Sequence, residues 1–316
     1  MTALLARATA FAPGSIGNVG PGFDVLGLAV GGAGDTVTVV RRQSRGVVVE
    51  IPGHPDLPTE PRQHASALAA MEVLARTGND DIGLGIKVVK GLPLSGGQGG
   101  SAASSVAGAV AANALLGDPL GPEELLHAAV EAEAVVAGRH ADNVGPSLLG
   151  GLVLVRSMQP LDVVRLAVPD DLAVVLAHPD QRLRTKDARR VLPRDVPLAT
   201  AIHQMAQVAA MVHACASGDL DLLGRAIDDR IAEPARATLL PGFPEAKAAA
   251  LNAGALGCSI SGSGPTSFAL VRDDPAVAAR VVDAMREAYA RAGVACIARL
   301  APIDRTGARV LAREAA

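Results

Sequence analysis

Residues Gly91–Leu116 read GLPLSGGQGGSAASSVAGAVAANALL, and glycines at 96, 97, 99 and 100 leave the backbone few ways to run there. A β-rich run at 83–89 (GLGIKVV) leads in, and a helix of small residues opens at Ser101. Glycine permits positive φ and close approach of the backbone to a ligand. The freed N–H groups and the helix N-terminus then point at one spot, which suits a phosphate. A plain strand–turn–helix corner does not need four glycines in five positions. Ala102, Ala103, Ser104 and Ser105 let the helix lie close to whatever it covers, and Ser101 can lend a hydroxyl to a metal or a phosphate. A Walker A loop is excluded, because no lysine lies between Lys90 and Lys186. Gly97-Gln98-Gly99 with Ala102 fits a dinucleotide fingerprint in letters only. The nearest acid, Asp118, sits in a turn followed by another helix, which is the wrong context for NAD.

Two further segments are as constrained. Ala12–Gly27 (APGSIGNVGPGFDVLG) holds Asn18 and Asp24 in a Gly/Pro-rich apolar run, and Gly257–Leu270 (GCSISGSGPTSFAL) carries a donor-rich loop at 261–264. Short polar groups on rigid loops are how small polar ligands are oriented. The 316 residues, 49% of them hydrophobic, suffice for two medium domains. A formal charge of −3 with no Trp, one Tyr and four Phe excludes a broad phosphate-binding or base-stacking surface, so no nucleic-acid partner is expected. Cys215, Cys258 and Cys296 are far apart and read as reduced thiols. No leader and no membrane span are expected, and the chain reads as cytoplasmic. Strands are predicted at 35–42, 46–51, 83–89, 152–156, 172–177, 267–271 and 294–300, and helices at 62–76, 101–116, 123–137, 199–216, 219–231, 245–254 and 275–291. That mixture means an α/β or α+β architecture. The polar, Pro-punctuated stretch 178–197 is either an interdomain linker or an active-site loop.

PGSIGNVGPGFDVLGLAV, PLSGGQGGSAASSVAG and GCSISGSGPTSFAL, in this order, resemble the three motifs of the GHMP small-molecule kinases. Among these the likeness is nearest to the homoserine kinases, through NVGPGFDVLGLA, RHADNVGPSLLGG at 139–151 and EPARATLLPGFPEAKAAALNAGALGCSISGSGPT at 233–266. The resemblance implies an α+β, two-domain GHMP kinase fold. An ATP-binding domain similar to ribosomal protein S5 domain 2 would span 1–168 and hold a left-handed βαβ crossover, against the usual hand. A ferredoxin-like domain would span 169–316, with the cleft between the two. A homodimer is implied too. The implied reaction is transfer of the ATP γ-phosphoryl group, with Mg²⁺, to the side-chain hydroxyl of L-homoserine, giving O-phospho-L-homoserine for threonine biosynthesis.

The same resemblance implies roles for individual residues. Pro93, Leu94, Ser95, Gly96, Gly97, Gln98, Gly99, Gly100, Ser101 and Ala102 would wrap the ATP phosphates, with Ser261, Gly262 and Gly264 contributing to that site. Ser101 would coordinate Mg²⁺ with a glutamate upstream of the HADN run; Glu131 and Glu133 both qualify, and Glu133 is favoured. His140, Asp142 and Asn143 look like the family's substrate-side group, completed by Asn18 and Asp24 around the amino and hydroxyl groups. Thr185, Arg189 and Arg236 would hold the carboxylate, with Arg190 and Arg230 as competitors for the two arginine positions. Ser101, Asp142 and Asn143 are the catalytic candidates, Asp142 as an orienting group first and a base second. Two residues depart from the pattern: Gln98 stands where the family has Leu, and Gly100 where it has Ser. The second change removes a hydroxyl donor but keeps the N–H. A kinase for another alcohol, such as mevalonate, and a non-catalytic nucleotide-binding relative are therefore the competing readings.

Overall fold

The computed structural model describes residues 5–315; residues 1–4, where the sequence predicts no leader, and residue 316 of the expected second domain lie outside the described residues. The first half of the chain runs β1 (Leu5–Gly17), β2 (Leu26–Arg42), β3 (Gly46–Ile51), α1 (Ala65–Thr77), β4 (Gly83–Val89), α2 (Gly100–Leu115), α3 (Pro122–Val136), α4 (Val144–Leu149), β5 (Leu152–Met158) and β6 (Leu161–Leu166). The second runs β7 (Leu172–Pro179), α5 (Thr185–Arg190), α6 (Leu198–Ser217), α7 (Leu220–Arg225), α8 (Ala232–Ala237), α9 (Phe243–Asn252), β8 (Gly257–Ile260), β9 (Ser267–Arg272), α10 (Pro275–Arg291), β10 (Cys296–Ala301) and β11 (Arg309–Ala315).

Helix α2 explains the first half. A helix that is apolar or small on every side must be covered on every side, and all but three of its 16 residues are buried. It packs on β1 and β2 below and between α1 and α3. The sheet beneath has the order β11-β1-β2-β4-β3, and β5 and β6 extend it from β2. β3 and β4 pair in parallel with α1 as their crossover. The second sheet has the order β10-β7-β9-β8, all antiparallel. With helices after β7 and α10 after β9, this is the βαββαβ order of a ferredoxin-like unit. One core joins the two sheets: Ile16 and Leu26 of the first pack in a cluster with Leu176 and Phe268 of the second and Met211 of α6. The walls of any cleft between the sheets are therefore fixed by shared packing.

The structure corrects several expectations. β1, the first half of β2, β6, β8 and β11 are strands the β-propensity signal missed; β1 and the start of β2 are rich in Ala and Gly, and β8 has only four residues. The expected helix 219–231 stops at Arg225. There Asp229 accepts the N–H groups of Ile231, Ala232 and Glu233 at 2.8, 3.1 and 2.9 Å and starts α8 afresh. Two short helices, α4 and α5, were not predicted, and Asn143 is the N-cap of the first. The stretch 178–197 joins β7 to α6 within the second half, with α5 at Thr185–Arg190, and so does not link the two sheets. The change of sheet falls between β6 and β7, around Val168-Pro169, but β11 returns to pair with β1 and closes an edge that would otherwise stand open. All three cysteines are free, and burial raises the thiol pKa of Cys215 to about 11 and of Cys258 to about 12. Such thiols stay protonated and inert. Among the described residues no helix is long and apolar enough to cross a membrane.

Candidate active site

The three glycine-rich segments converge. Gly97 has φ of +74°, and a Cβ there would lie 2.7 Å from the carbonyl oxygens of Ser261 and Gly264, so only glycine fits. The Ser261 hydroxyl donates to the Gly97 carbonyl at 2.6 Å, and the Thr266 hydroxyl to that of Gly96 at 2.5 Å. From the first segment, the Ser15 N–H reaches the Gln98 carbonyl at 3.1 Å, and the Gly17 carbonyl accepts from the Gly262 N–H at 3.0 Å. A cavity of about 730 Å³ opens at this junction. Pro93 to Gly97, Gly99, Gly100, Ser101 and Gly262 line it. Gln98, Ala102, Ser261 and Gly264 do not: Gln98 is buried with its amide donating to Thr266 at 3.2 Å, and the others lie behind the loop. Gln98 is thus a brace under the loop, where sequence placed it against the phosphates. Among the described residues no side chain caps α2, whose N-cap Gly99 is left-handed at φ of 65°. Its first N–H groups are left for a ligand.

Ser101 donates to Glu133 Oε1 at 2.6 Å. Glu133, on α3, is 2% exposed, and among the described residues its second oxygen has no hydrogen-bond partner. Burial raises its carboxyl pKa against the pull of the Ser101 hydrogen bond. A buried carboxylate with a free oxygen beside a hydroxyl fits a hard divalent cation. Glu131, two residues back, faces outward and pairs with Arg139 at 2.7 Å. Among the described residues no cluster of three acidic, His or Cys groups could hold a metal by itself. The remaining ligands of an Mg²⁺ ion would be phosphate oxygens and water, which is how this ion is usually held.

Asp142 is 2% exposed; one oxygen accepts the Asn18 N–H at 3.1 Å, and the other lies 3.3 Å from His140 Nδ1. Those last two atoms face each other without well-aligned hydrogen-bond geometry. Burial disfavours the imidazolium, but the Asp142 and Glu133 carboxylates outweigh it and raise the His140 pKa. Asn143 takes the Ser15 hydroxyl at 2.9 Å. The packing is tight: a Cβ on Gly17 would come within 2.4 Å of Asn143 and 2.5 Å of Asp142.

Asn18, Val19, Asp24 and Ser95 all have positive φ without being glycine. Such conformations cost on the order of 1–3 kcal/mol each and gather where function needs them. The Asn18 amide is committed at both ends, to the Asp24 N–H at 3.1 Å and the Gly262 carbonyl at 2.9 Å. It positions Asp24. Asp24 in turn makes a two-pronged pair with Arg189 of α5, at 3.0 and 2.8 Å. Arg236 of α8 is 3% exposed and donates to the Gly262 carbonyl at 2.7 Å. Both guanidinium carbons lie over the Phe23 ring, at 5.5 and 5.2 Å. Thr185 lines the same cavity. Arg190 and Arg230 are exposed, and Arg230 pairs with Asp228. At the far end Leu57, Pro58, Val135 and Val136 form an apolar wall beside buried His64. Sequence reasoning missed this wall, as it missed Ser15, Phe23, Lys90 and Thr266. Ser15, Phe23 and Thr266 sit inside the quoted motifs, but nothing local marks the others.

A two-sheet α+β chain whose glycine loop and uncapped helix face a Ser–Glu pair is built as a small-molecule kinase. Residues 65–151 match the GHMP kinases N terminal domain, and residues 211–291 match GHMP kinases C terminal. A homoserine kinase of Chlorobium phaeobacteroides is 43% identical over 315 residues, covering 95% of this chain and 98% of its own. One of Arabidopsis thaliana is 41% identical over 310 residues, covering 95% and 84%. The crystal structure of homoserine kinase from Cytophaga hutchinsonii superposes with a TM-score of 0.94 at 39% identity, covering 98% of this chain and 99% of that one. The chain belongs to the homoserine kinase family of the GHMP kinases.

Proposed function

We propose that the chain transfers the γ-phosphoryl group of ATP to the side-chain hydroxyl of L-homoserine, giving ADP and O-phospho-L-homoserine for threonine biosynthesis. One observation carries this reading: a single cavity is lined by the α2 N-terminus, the Ser101–Glu133 pair, and Asp24–Arg189 beside buried Arg236. Each part complements a different piece of the reactants. The helix N-terminus and the loop 93–101 suit the phosphates, with the apolar wall left for the base. A free amino acid carries an ammonium and a carboxylate side by side. It can therefore exchange partners with Asp24 and Arg189, and Arg236 reinforces the carboxylate side. Mevalonate would leave Asp24 unmatched, and galactose would use neither charge.

Ser101 and Glu133 are the residues that would hold Mg²⁺, which when bound supplies charge neutralisation on the transferring phosphoryl group. The chain's own groups do the positioning that dominates this reaction. Asp142, with one oxygen free of hydrogen bonds, orients the substrate hydroxyl and can accept its proton. Asn143, held by Ser15, adds a donor to the same corner.

The test is ADP release by purified protein with Mg-ATP against homoserine, mevalonate, galactose, threonine and no acceptor. Release that requires homoserine is the expected outcome. Turnover only with another alcohol would move the substrate assignment, and nucleotide binding with silence on every acceptor would leave a binding protein. The reading also includes a cytoplasmic homodimer, with the ATP-binding domain over 1–168 and the second over 169–316 apart from the returning β11. A monomer by sedimentation at assay concentrations would remove the dimer.

A further inference from the structure

The loop between β4 and α2 has two ends, Gly91 and Gly100, and one buried ion pair holds both. Asp35 of β2 is fully buried, and the Lys90 side chain is 7% exposed. The Lys90 ammonium pairs with Asp35 and also donates to the Gly100 carbonyl at 2.9 Å and to Ser104 Oγ at 3.1 Å. The Ser104 hydroxyl donates to Asp35 at 2.6 Å, and the other Asp35 oxygen takes the Gly91 N–H at 3.1 Å. Lys90 and Ser104 lie on the cavity wall beside Gly100 and Ser101.

We propose that Asp35, Lys90 and Ser104 are positioning residues for the nucleotide phosphates, fixing where the loop leaves β4 and where the first turn of α2 begins. All three ammonium protons are already used within the protein, so Lys90 acts as a strut and not as a swinging phosphate ligand. Stability alone does not call for this arrangement. A buried ion pair contributes little on balance, and apolar side chains of similar volume would fill the space. What apolar side chains cannot do is hold the Gly91 N–H and the Gly100 carbonyl at once. The loop's own glycines make it pliable, and its N–H groups converge only if both ends are fixed. Gly100 sharpens the need here. It lacks the hydroxyl of the family pattern, so the phosphates depend the more on correctly aimed backbone.

This inference rests on the cavity being the ATP site, and the experiment separates the two. Mg-ADP affinity would be measured by calorimetry for the wild-type full chain, for Asp35→Leu with Lys90→Met, and for Ser104→Ala. Thermal melts and the KM values for ATP and homoserine accompany it. The double variant should stay folded, bind Mg-ADP about tenfold more weakly or worse, and keep its KM for homoserine within about twofold; Ser104→Ala should lose about threefold in Mg-ADP affinity. A folded double variant with wild-type Mg-ADP affinity would overturn the proposal, as would an equal loss for both ligands. Should the double variant not fold, unchanged affinity in Ser104→Ala overturns it. Wild-type protein that binds no Mg-ADP would overturn the functional reading and this proposal together.

Discussion

Asp24 and Arg189 satisfy each other across two hydrogen bonds, and a zwitterion offers each a replacement partner. Among the described residues Arg236 has no carboxylate within hydrogen-bond reach: it donates to the carbonyls of Gly262 and Ala188, and burial pushes its pKa down. That makes it the guanidinium with most to gain from a substrate carboxylate. Arg236→Ala should raise KM for homoserine by about 10- to 100-fold while kcat changes less, measured by steady-state kinetics at saturating ATP. An unchanged KM would take the carboxylate elsewhere. Glu133→Gln keeps the shape and the Ser101 contact but removes the charge. It should cut kcat by about a hundredfold, and Mg²⁺ should no longer tighten ADP binding. Equal Mg²⁺ dependence in the variant would sink Glu133 as a metal ligand.

At the scale of elements, helix ends decide the site. α2 delivers its uncapped N-terminus to the cavity, and α8 delivers Arg236. The start of α8 depends on Asp229, whose carboxylate takes three backbone N–H groups and the Gln204 amide at 2.8 Å. Asp229→Ala should lower unfolding free energy by about 2 kcal/mol, from the lost caps and one Gln204 amide proton left unpaired. It should also raise KM for homoserine, because Arg236 rides on that helix. Urea denaturation gives the first effect and kinetics the second; a stability loss with unaltered KM would mean that α8 keeps its place without the cap.

At the scale of the whole molecule, pH acts on stability through buried charge. Burial alone would lower the His140 pKa, yet the carboxylates of Asp142 and Glu133 carry it above the usual 6.5. The native state therefore holds this proton more tightly than the unfolded chain. Its stabilisation is complete below the unfolded value and is lost as pH rises through the folded one. The stability of wild type relative to His140→Gln should thus fall as pH rises above about 6.5, the ordinary imidazole value, in urea titrations. A constant or rising difference would contradict the charge arrangement. Much of the site was legible beforehand because its markers are local. Positive φ at Gly97 is a demand on one residue, and the neighbours Asp142 and Asn143 stand together in sequence. Where two like residues competed, sequence was weaker. Glu131 and Glu133, Arg189 and Arg190, and Arg236 and Arg230 have the same chemistry, and only packing turned one of each pair inward. β1 and β11 pair across some three hundred residues, and Asp35 meets Lys90 across 55. No local pattern encodes such meetings, since strand register and helix docking set them, and a one-residue slip would turn each side chain to the other face. The sequence by itself determined the glycine turns, the small-residue helix and the chemical types the site contains. The tertiary structure alone decided which of those groups face the cavity and which brace it, because partner and orientation depend on the packing of the whole chain.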